Sequence, residues 1–272
     1  MVLRCLLLVC AVFALSGCKP QNPLITTWKI ARVSYTPSGL ATPESLKRGH
    51  EIEEQSQSLA NSTFALYPEG QCAFFSTRTP FRQGIWGLDG STLSLQLSTN
   101  SPAYYFEILD MDGRTMILTL LDDDLTDGEI TLVCQKSGQY QYDGIDLLAP
   151  EQNQWRVQPA RKETKEQIRD RTVEHLDYLI KYFSCVENNK QTYFETGIIS
   201  SPFVFYSHGL GLSKDTKFSK RWQEGFYDQT DAMVGYEYLR SAIRTVRKFP
   251  KAETFTKEYL LAFKQMRTHF DQ

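Results

Sequence analysis

The chain has 272 residues, of which 41% are hydrophobic and 23% are charged, and its formal net charge is −2. This composition is typical of a globular protein with a packed core, and the length is sufficient for two ordinary domains. Neither half is basic enough to indicate nucleic-acid binding, so we expect no nucleic acid among its partners.

The N-terminal 18 residues have the pattern of a bacterial secretory signal. Arg4 precedes an apolar run from Cys5 to Leu15, and small residues then lead to Cys18. A basic start, a short apolar core and a small-residue end are the features of a cleavable signal peptide. The run is too short to span a bilayer as a permanent helix.

The sequence Leu15-Ser16-Gly17-Cys18 resembles the lipobox of bacterial lipoproteins. The resemblance implies that Cys18 becomes the mature N-terminus, receives fatty acyl groups such as palmitate and anchors the chain in a membrane. Lys19, where some lipoproteins have aspartate, resembles a signal for sorting to the outer membrane. By analogy with related export signals, the absence of an acidic run at Lys19–Pro23 implies a body that faces the periplasm and is not exposed at the cell surface. The alternative is an ordinary secretion signal that happens to end near a cysteine.

Turn signals then divide the first half into short segments of alternating polarity. Asp89-Gly90, Asp112-Gly113 and Asp127-Gly128 each separate two such segments, and Asp-Gly between strands is a strong hairpin signal. The predicted strands are 27–36, 61–67, 71–77, 82–88, 91–98, 103–110, 114–121 and 129–136. The connection after the first strand has a predicted short helix at 44–59. Eight strands in up-and-down order can close into an antiparallel barrel.

Two tryptophans and several residues around them match the sequence pattern of a known family of β-barrels. Trp28 begins the first strand, and Gly84 precedes Trp86 on the fourth. Further matches are Phe64 with Gly70, Leu93 with Leu95, Tyr105 with Leu109, and Ile117 with Thr119. Over about 110 residues the chain resembles the lipocalin-like domains of bacterial lipoproteins, although Thr26 stands where the lipocalin motif has glycine. The resemblance implies a barrel with a small apolar ligand in its mouth; the alternative is a barrel filled by its own side chains.

Three cysteines remain after the lipidation site. Cys72 and Cys134 belong to the same predicted domain and can pair as a disulfide in an oxidising compartment. The alternative is two buried thiols that act as small hydrophobic side chains. Cys185, on a predicted helix, is expected to be an inert core thiol.

After Pro150 the hydrophobic period changes from two to 3.6 residues, which predicts a helical domain. A capping box at Thr164–Gln167 begins the first helix, a second is expected at 215–248, and a third from Thr254. The net charge changes at the same place, from −7 over residues 19–149 to +4 over residues 150–272. The predicted parts are a signal peptide (1–17), a lipidated N-terminus with a short tether (18–23), a lipocalin-like barrel (24–149) and an α-helical domain (150–272). The expected fold class is therefore α+β.

The connection at 196–214 is unusually apolar for a loop. It contains Phe203, Phe205, Tyr206 and His208, which predict a pocket wall or a contact surface. The alternative is a buried linker in which His208 has a structural role, because a single histidine needs partners before it indicates catalysis.

Two groups of acidic residues are candidate sites. Asp122–Asp124 with Asp127 and Glu129 can supply calcium ligands, but a solvated turn is the more usual result of such a cluster. Glu224, Asp228 and Asp231 are expected on one helix face, as a metal or acid/base group or as a salt-bridged surface. No nucleophile elbow, phosphate loop or zinc motif is present, so the sequence predicts no catalytic residue, no metal site and no cofactor.

These features together predict a lipid-anchored envelope protein with a non-catalytic binding or scaffolding role. Its partners would be the membrane, through Cys18, and another envelope protein or a small apolar ligand. Two alternatives are a carrier with an apolar ligand or lipid in the barrel, and an enzyme with a site between the domains near His208 and Glu224.

Overall fold

Eight antiparallel strands in the N-terminal half close into a barrel, as the turn pattern predicts. The structure is a computed structural model that describes residues 22–38, 42–57, 59–76, 81–97, 101–122, 128–137, 141–189, 202–213 and 220–271. The barrel strands are β1 (Thr27–Pro37), β2 (Thr63–Leu66), β3 (Gln71–Phe75), β4 (Arg82–Asp89), β5 (Thr92–Gln96), β6 (Tyr104–Met111), β7 (Thr115–Leu121) and β8 (Gly128–Lys136). A helical region follows, so the α+β fold class is confirmed.

The barrel consists of consecutive hairpins and is closed by the pairing of its first strand with its last. Each strand pairs with its neighbour in sequence, and β1 also pairs antiparallel with β8 along almost its whole length. Closure leaves no strand edge exposed within the sheet. Gly90, between β4 and β5, has a φ of 58°, the left-handed conformation for which glycine is favoured at a tight turn.

The barrel interior is filled by its own side chains. Period-two alternation directs Trp28, Phe64, Phe106 and Met116 inwards, where they are buried in one cluster. The Trp28 indole Nε1 donates a hydrogen bond to the Leu24 carbonyl oxygen at 3.1 Å, which holds the segment before β1 against one end of the barrel.

The predicted short helix is present as α1 (Pro43–Gln57), and it covers part of the other end of the barrel. Its Ile52 packs against the interior cluster, and its buried Gly49 lies against the ring of Tyr35 from β1. Any side chain at position 49 would collide with that ring, so glycine allows the helix to approach the strand.

The two barrel cysteines are free, buried thiols in the structure. Cys72 lies on β3 and Cys134 on β8, and both point into the interior. Of the two alternatives from the sequence, the structure therefore has the buried thiols and not the disulfide. Burial raises the pKa of each thiol to about 12, which suppresses the reactive thiolate. Cys185 is also buried, and its thiol lies 2.9 Å from the Gln141 carbonyl oxygen.

In its described residues, the C-terminal half contains four further α-helices and two small hairpins. The helices are α2 (Lys165–Asn189), α3 (Lys220–Gln223), α4 (Gln229–Ile243) and α5 (Phe255–Thr268). The hairpins are β9 (Gln141–Tyr142) with β10 (Ile145–Asp146), and β11 (Phe203–Tyr206) with β12 (Gly209–Leu212). Within the described ranges, no helix combines the length and the apolar character needed to cross a bilayer.

The predicted capping box is confirmed at the start of α2. The Thr164 hydroxyl accepts a hydrogen bond from the Gln167 backbone N–H at 3.2 Å, and the Gln167 side chain accepts one from the Thr164 N–H at 2.9 Å. Each side chain satisfies a backbone donor that the first turn of a helix cannot satisfy itself.

The prediction of one long helix at 215–248 is wrong over its described part. The chain turns at Gly225, whose N–H donates to the Trp222 carbonyl, and Asp228 caps a new helix by accepting from the Asp231 N–H. A Cβ at Gly225 would lie 3.3 Å from the Trp155 carbonyl oxygen, so glycine lets this turn pack closely against the segment before α2. Residues 214–219 lie outside the described residues.

The barrel wall and the helices share one hydrophobic core. Ala65, Ala73 and Phe75 lie on the outer face of β2 and β3, and they belong to the same buried cluster as Leu176 and Leu179 of α2. Small side chains on the wall allow a close approach of the helical region. The helices are therefore fixed to the side of the barrel by apolar packing.

The state of the three cysteines gives a direct prediction. A soluble form of residues 19–272 purified without reductant should show three reactive thiols per chain after unfolding, because Cys72, Cys134 and Cys185 are thiols and not disulfide partners in the structure. The native protein should react slowly with a thiol reagent because all three groups are buried. A single reactive thiol after unfolding would contradict the structure, because it would mean that two cysteines are paired.

Candidate functional site

The apolar connection identified in the sequence forms a tight hairpin with His208 at its tip. Tyr206 of β11 pairs with Gly209 of β12, so Ser207 and His208 form the turn. His208 has a φ of 59°, in the left-handed region that non-glycine residues seldom adopt. Its side chain is 61% exposed.

A buried carboxylate from another element meets this histidine. Glu258 lies in the first turn of α5, and its side chain is only 3% exposed. The His208 Nδ1 lies 3.2 Å from Glu258 Oε2, and the carboxylate also accepts the backbone N–H of Ala252 at 3.3 Å. Because a carboxylate accepts hydrogen bonds, the contact assigns the proton of a neutral ring to Nδ1 and leaves Nε2 directed elsewhere.

The histidine and the carboxylate border a cleft of about 580 Å³. Its apolar wall comes from three elements: Phe183 of α2, Phe205 of β11, and Phe255 with Tyr259 of α5. The rings of Phe205 and Tyr259 meet edge to face with centroids 4.6 Å apart, and Phe183 lies 5.9 Å from each of them. This is a concave, largely aromatic surface with few polar groups, the usual character of a ligand site.

Hydrogen bonds fix α5 and the hairpin on either side of the cleft. The Tyr259 hydroxyl donates to the Tyr206 carbonyl oxygen at 2.7 Å. Thr254 is the N-cap of α5: its hydroxyl accepts the Lys257 N–H at 3.2 Å and donates to the Glu187 carboxylate at 2.6 Å. Helices α2 and α5 are thereby joined at the rim.

The residues predicted to form a pocket or contact loop have different positions. Phe205 and His208 line the cleft. Phe203 is buried in the core against Phe263, and Tyr206 is exposed at the surface. The predicted lipidation site, Cys18, lies outside the described residues.

The prediction that Glu224, Asp228 and Asp231 lie on one face of a single helix is wrong. Glu224 follows α3, Asp228 caps α4, and Asp231 is buried in the first turn of α4, because the chain turns between the two helices. His208 is paired with Glu258 and not with this group.

The acidic cluster in the first half, for which calcium binding is the alternative, falls largely on 123–127, which lie outside the described residues. Across the described ranges, no group of three or more metal-ligating side chains is assembled.

Sequence reasoning missed Glu258, Phe255 and Tyr259 as a group. One signal was present: Glu258 lies within the apolar stripe of the last helix, between Phe255 and Tyr259, where a carboxylate must be buried. Its partner, 50 residues earlier at the hairpin tip, could not be identified without the fold.

A histidine oriented by a carboxylate can act as a general base, or it can present Nε2 to a ligand. Covalent catalysis requires a nucleophile hydrogen-bonded to that nitrogen. In the described part of the chain, the His208 ring makes hydrogen bonds to Glu258 alone.

No model of a known protein family matches this chain, and no curated protein matches it significantly in sequence. The candidate site therefore rests on the residues and contacts described above.

The cap of α5 can be tested by substitution. Thr254→Ala should lower the free energy of unfolding by about 1 kcal/mol, because it removes the acceptor for the Lys257 N–H. Thr254→Ser should retain that stability. The measurement is urea unfolding followed by circular dichroism.

Thr256→Ala is the matched control, since Thr256 also lines the cleft but does not cap the helix. It should change the free energy of unfolding by no more than about 0.5 kcal/mol. If Thr254→Ala and Thr256→Ala lower the free energy of unfolding by the same amount, the assignment of Thr254 as the N-cap of α5 is contradicted.

Proposed function

We propose that this chain is a lipid-anchored protein of the bacterial cell envelope that acts by binding a ligand in the His208 cleft. The lipobox-like sequence ending at Cys18 supports the anchor, and Lys19 supports a position on the outer membrane. Several acyl chains on one cysteine would bind firmly, because a single chain gives only marginal attachment.

The length of the tether supports a fixed orientation on that membrane. Cys18 precedes the first described residue, Asn22, by four positions, which span at most about 14 Å when extended. The barrel end at which β1 begins would then face the lipid surface. Because the strands are antiparallel and consecutive, the turns between β2 and β3, β4 and β5, and β6 and β7 lie at this same end.

The observation that carries the binding proposal is the open aromatic cleft in the helical region. The barrel interior is occupied by large side chains such as Trp28, Phe106 and Met116, so the lipocalin-like carrier alternative has no support from the described interior. The cleft, by contrast, offers the exposed ring of Phe255 and the half-buried ring of Phe205 next to the His208–Glu258 pair. A site of this kind is sufficient for recognition without chemistry.

The anchor gives the first test. In cells of the source bacterium, the full-length protein should fractionate with membranes and should have the added mass of several acyl chains. Cys18→Ser should remove that mass and release the protein in soluble form, whereas Lys19→Ala should remain attached to a membrane. A Cys18→Ser variant that stays in the membrane fraction would contradict lipidation as the anchor.

Native mass spectrometry tests the binding site. The soluble Cys18→Ser protein, purified gently from its own envelope, should have a bound small mass that is lost on denaturation. Phe255→Ser should abolish that mass, because Phe255 is 55% exposed and forms one wall of the cleft.

Met233→Ser is the matched control, since Met233 is 48% exposed and lies on α4 outside the cleft. It should retain the bound mass. A mass that survives Phe255→Ser and is lost when the barrel interior is altered would overturn the assignment to the cleft.

A further inference from the structure

We infer that the cleft selects a small organic ammonium ion, meaning a positively charged nitrogen with apolar substituents. This inference rests on the proposed binding function and specifies the chemical class of the ligand. Three features of the lining support it: the aromatic side chains, the negative charge of the carboxylates, and the Nε2 atom of His208, which can accept a hydrogen bond from a ligand.

The aromatic lining provides the first argument. Phe183, Phe205, Phe255 and Tyr259 surround one space, and the first three side chains have no polar atom. An aromatic ring has a negative face that attracts cations, and several rings around one space are a known means of binding alkylated ammonium groups. The rings also bury the apolar substituents of such a ligand.

The charge of the lining provides the second argument. Among the described lining residues, the acidic groups are Glu253 and Glu258, the one titratable base is His208, and none is lysine or arginine. Lys257 contacts Glu253 at 3.6 Å, but it is not part of the lining. A carboxylate or phosphate ligand would face these groups, whereas a cation would be attracted to them.

Glu258 is the more important of the two carboxylates. Its side chain is 3% exposed, so its charge is less screened by water than that of Glu253, which is 88% exposed. Its position is fixed by the Ala252 N–H and by the His208 ring. A fixed negative charge in the lining of an aromatic space favours a cation over a neutral molecule of the same shape.

His208 provides the third argument. With the proton on Nδ1 facing Glu258, the Nε2 atom of the neutral ring is a hydrogen-bond acceptor. It can accept an N–H of a primary or secondary ammonium group. The left-handed φ of 59° at this residue is easier for glycine to adopt, so the position of the ring is obtained at a conformational cost.

Three probes of similar size but different charge test the inference. Benzylammonium, benzyl alcohol and phenylacetate are titrated into the soluble Cys18→Ser protein, and the backbone amide NMR signals of residues 252–259 are followed. The ammonium ion should bind about tenfold more tightly than the alcohol, and phenylacetate should bind most weakly.

Two substitutions locate the selectivity. Phe255→Leu should reduce the affinity for benzylammonium severalfold and change that for benzyl alcohol little, because it removes an aromatic face and retains apolar volume. Glu258→Gln should have the same effect, while Glu237→Gln, the same change of charge on the exposed face of α4, should have none. Phe255 is exposed, so its variant remains informative if Glu258→Gln does not fold.

The outcomes separate the two proposals. Equal affinity for the three probes, or tightest binding of phenylacetate, would overturn the ammonium class and leave the cleft as a binding site. If none of the probes shifts the signals of residues 252–259 at millimolar concentration, both the ammonium class and the cleft as the ligand site are wrong.

Discussion

The packing of the helices against the outer wall of the barrel is the constraint on which the rest of the structure depends. Ala65 and Ala73 leave room on that wall, and α2 fills it with the same apolar stripe that supports the hairpin and α5. Phe183, towards the end of this stripe, lines the cleft. The barrel thus serves as a scaffold for a site that lies outside it. Burial of Glu258 then fixes the hairpin tip to α5, since the buried carboxylate must be paired.

Most of the barrel could be predicted from the sequence because its signals are local. Asp-Gly turns and period-two alternation specify consecutive hairpins, and each predicted strand is present with bounds that differ by a few residues. The Thr164–Gln167 capping box was predictable for the same reason, since its two hydrogen bonds join residues three positions apart. Whether the barrel interior is filled or open could not be decided from the sequence. Only the closed barrel shows that the side chains of Trp28 and Phe106 fill it.

The site was only partly predictable. The sequence identifies Phe205 and His208 because apolar residues next to a histidine are unusual in a connection. It does not show which other elements of the fold these two residues contact. The partner of His208 lies 50 residues away on α5, and the contact depends on how α2 positions both elements. The break between α3 and α4 also escaped the sequence pattern, because it depends on the close approach of Gly225 to the Trp155 carbonyl. Long-range packing therefore determines the site, while local signals determine the elements.

We propose that the ligand site is the helical cleft and that the barrel is a filled scaffold. A crystal structure of the protein purified from its own envelope, without any added ligand, distinguishes the two places. We expect additional electron density between Phe205, Phe255 and Tyr259, with Trp28 and Met116 in their positions inside the barrel. Ligand density within the barrel, with those two side chains displaced, would contradict it.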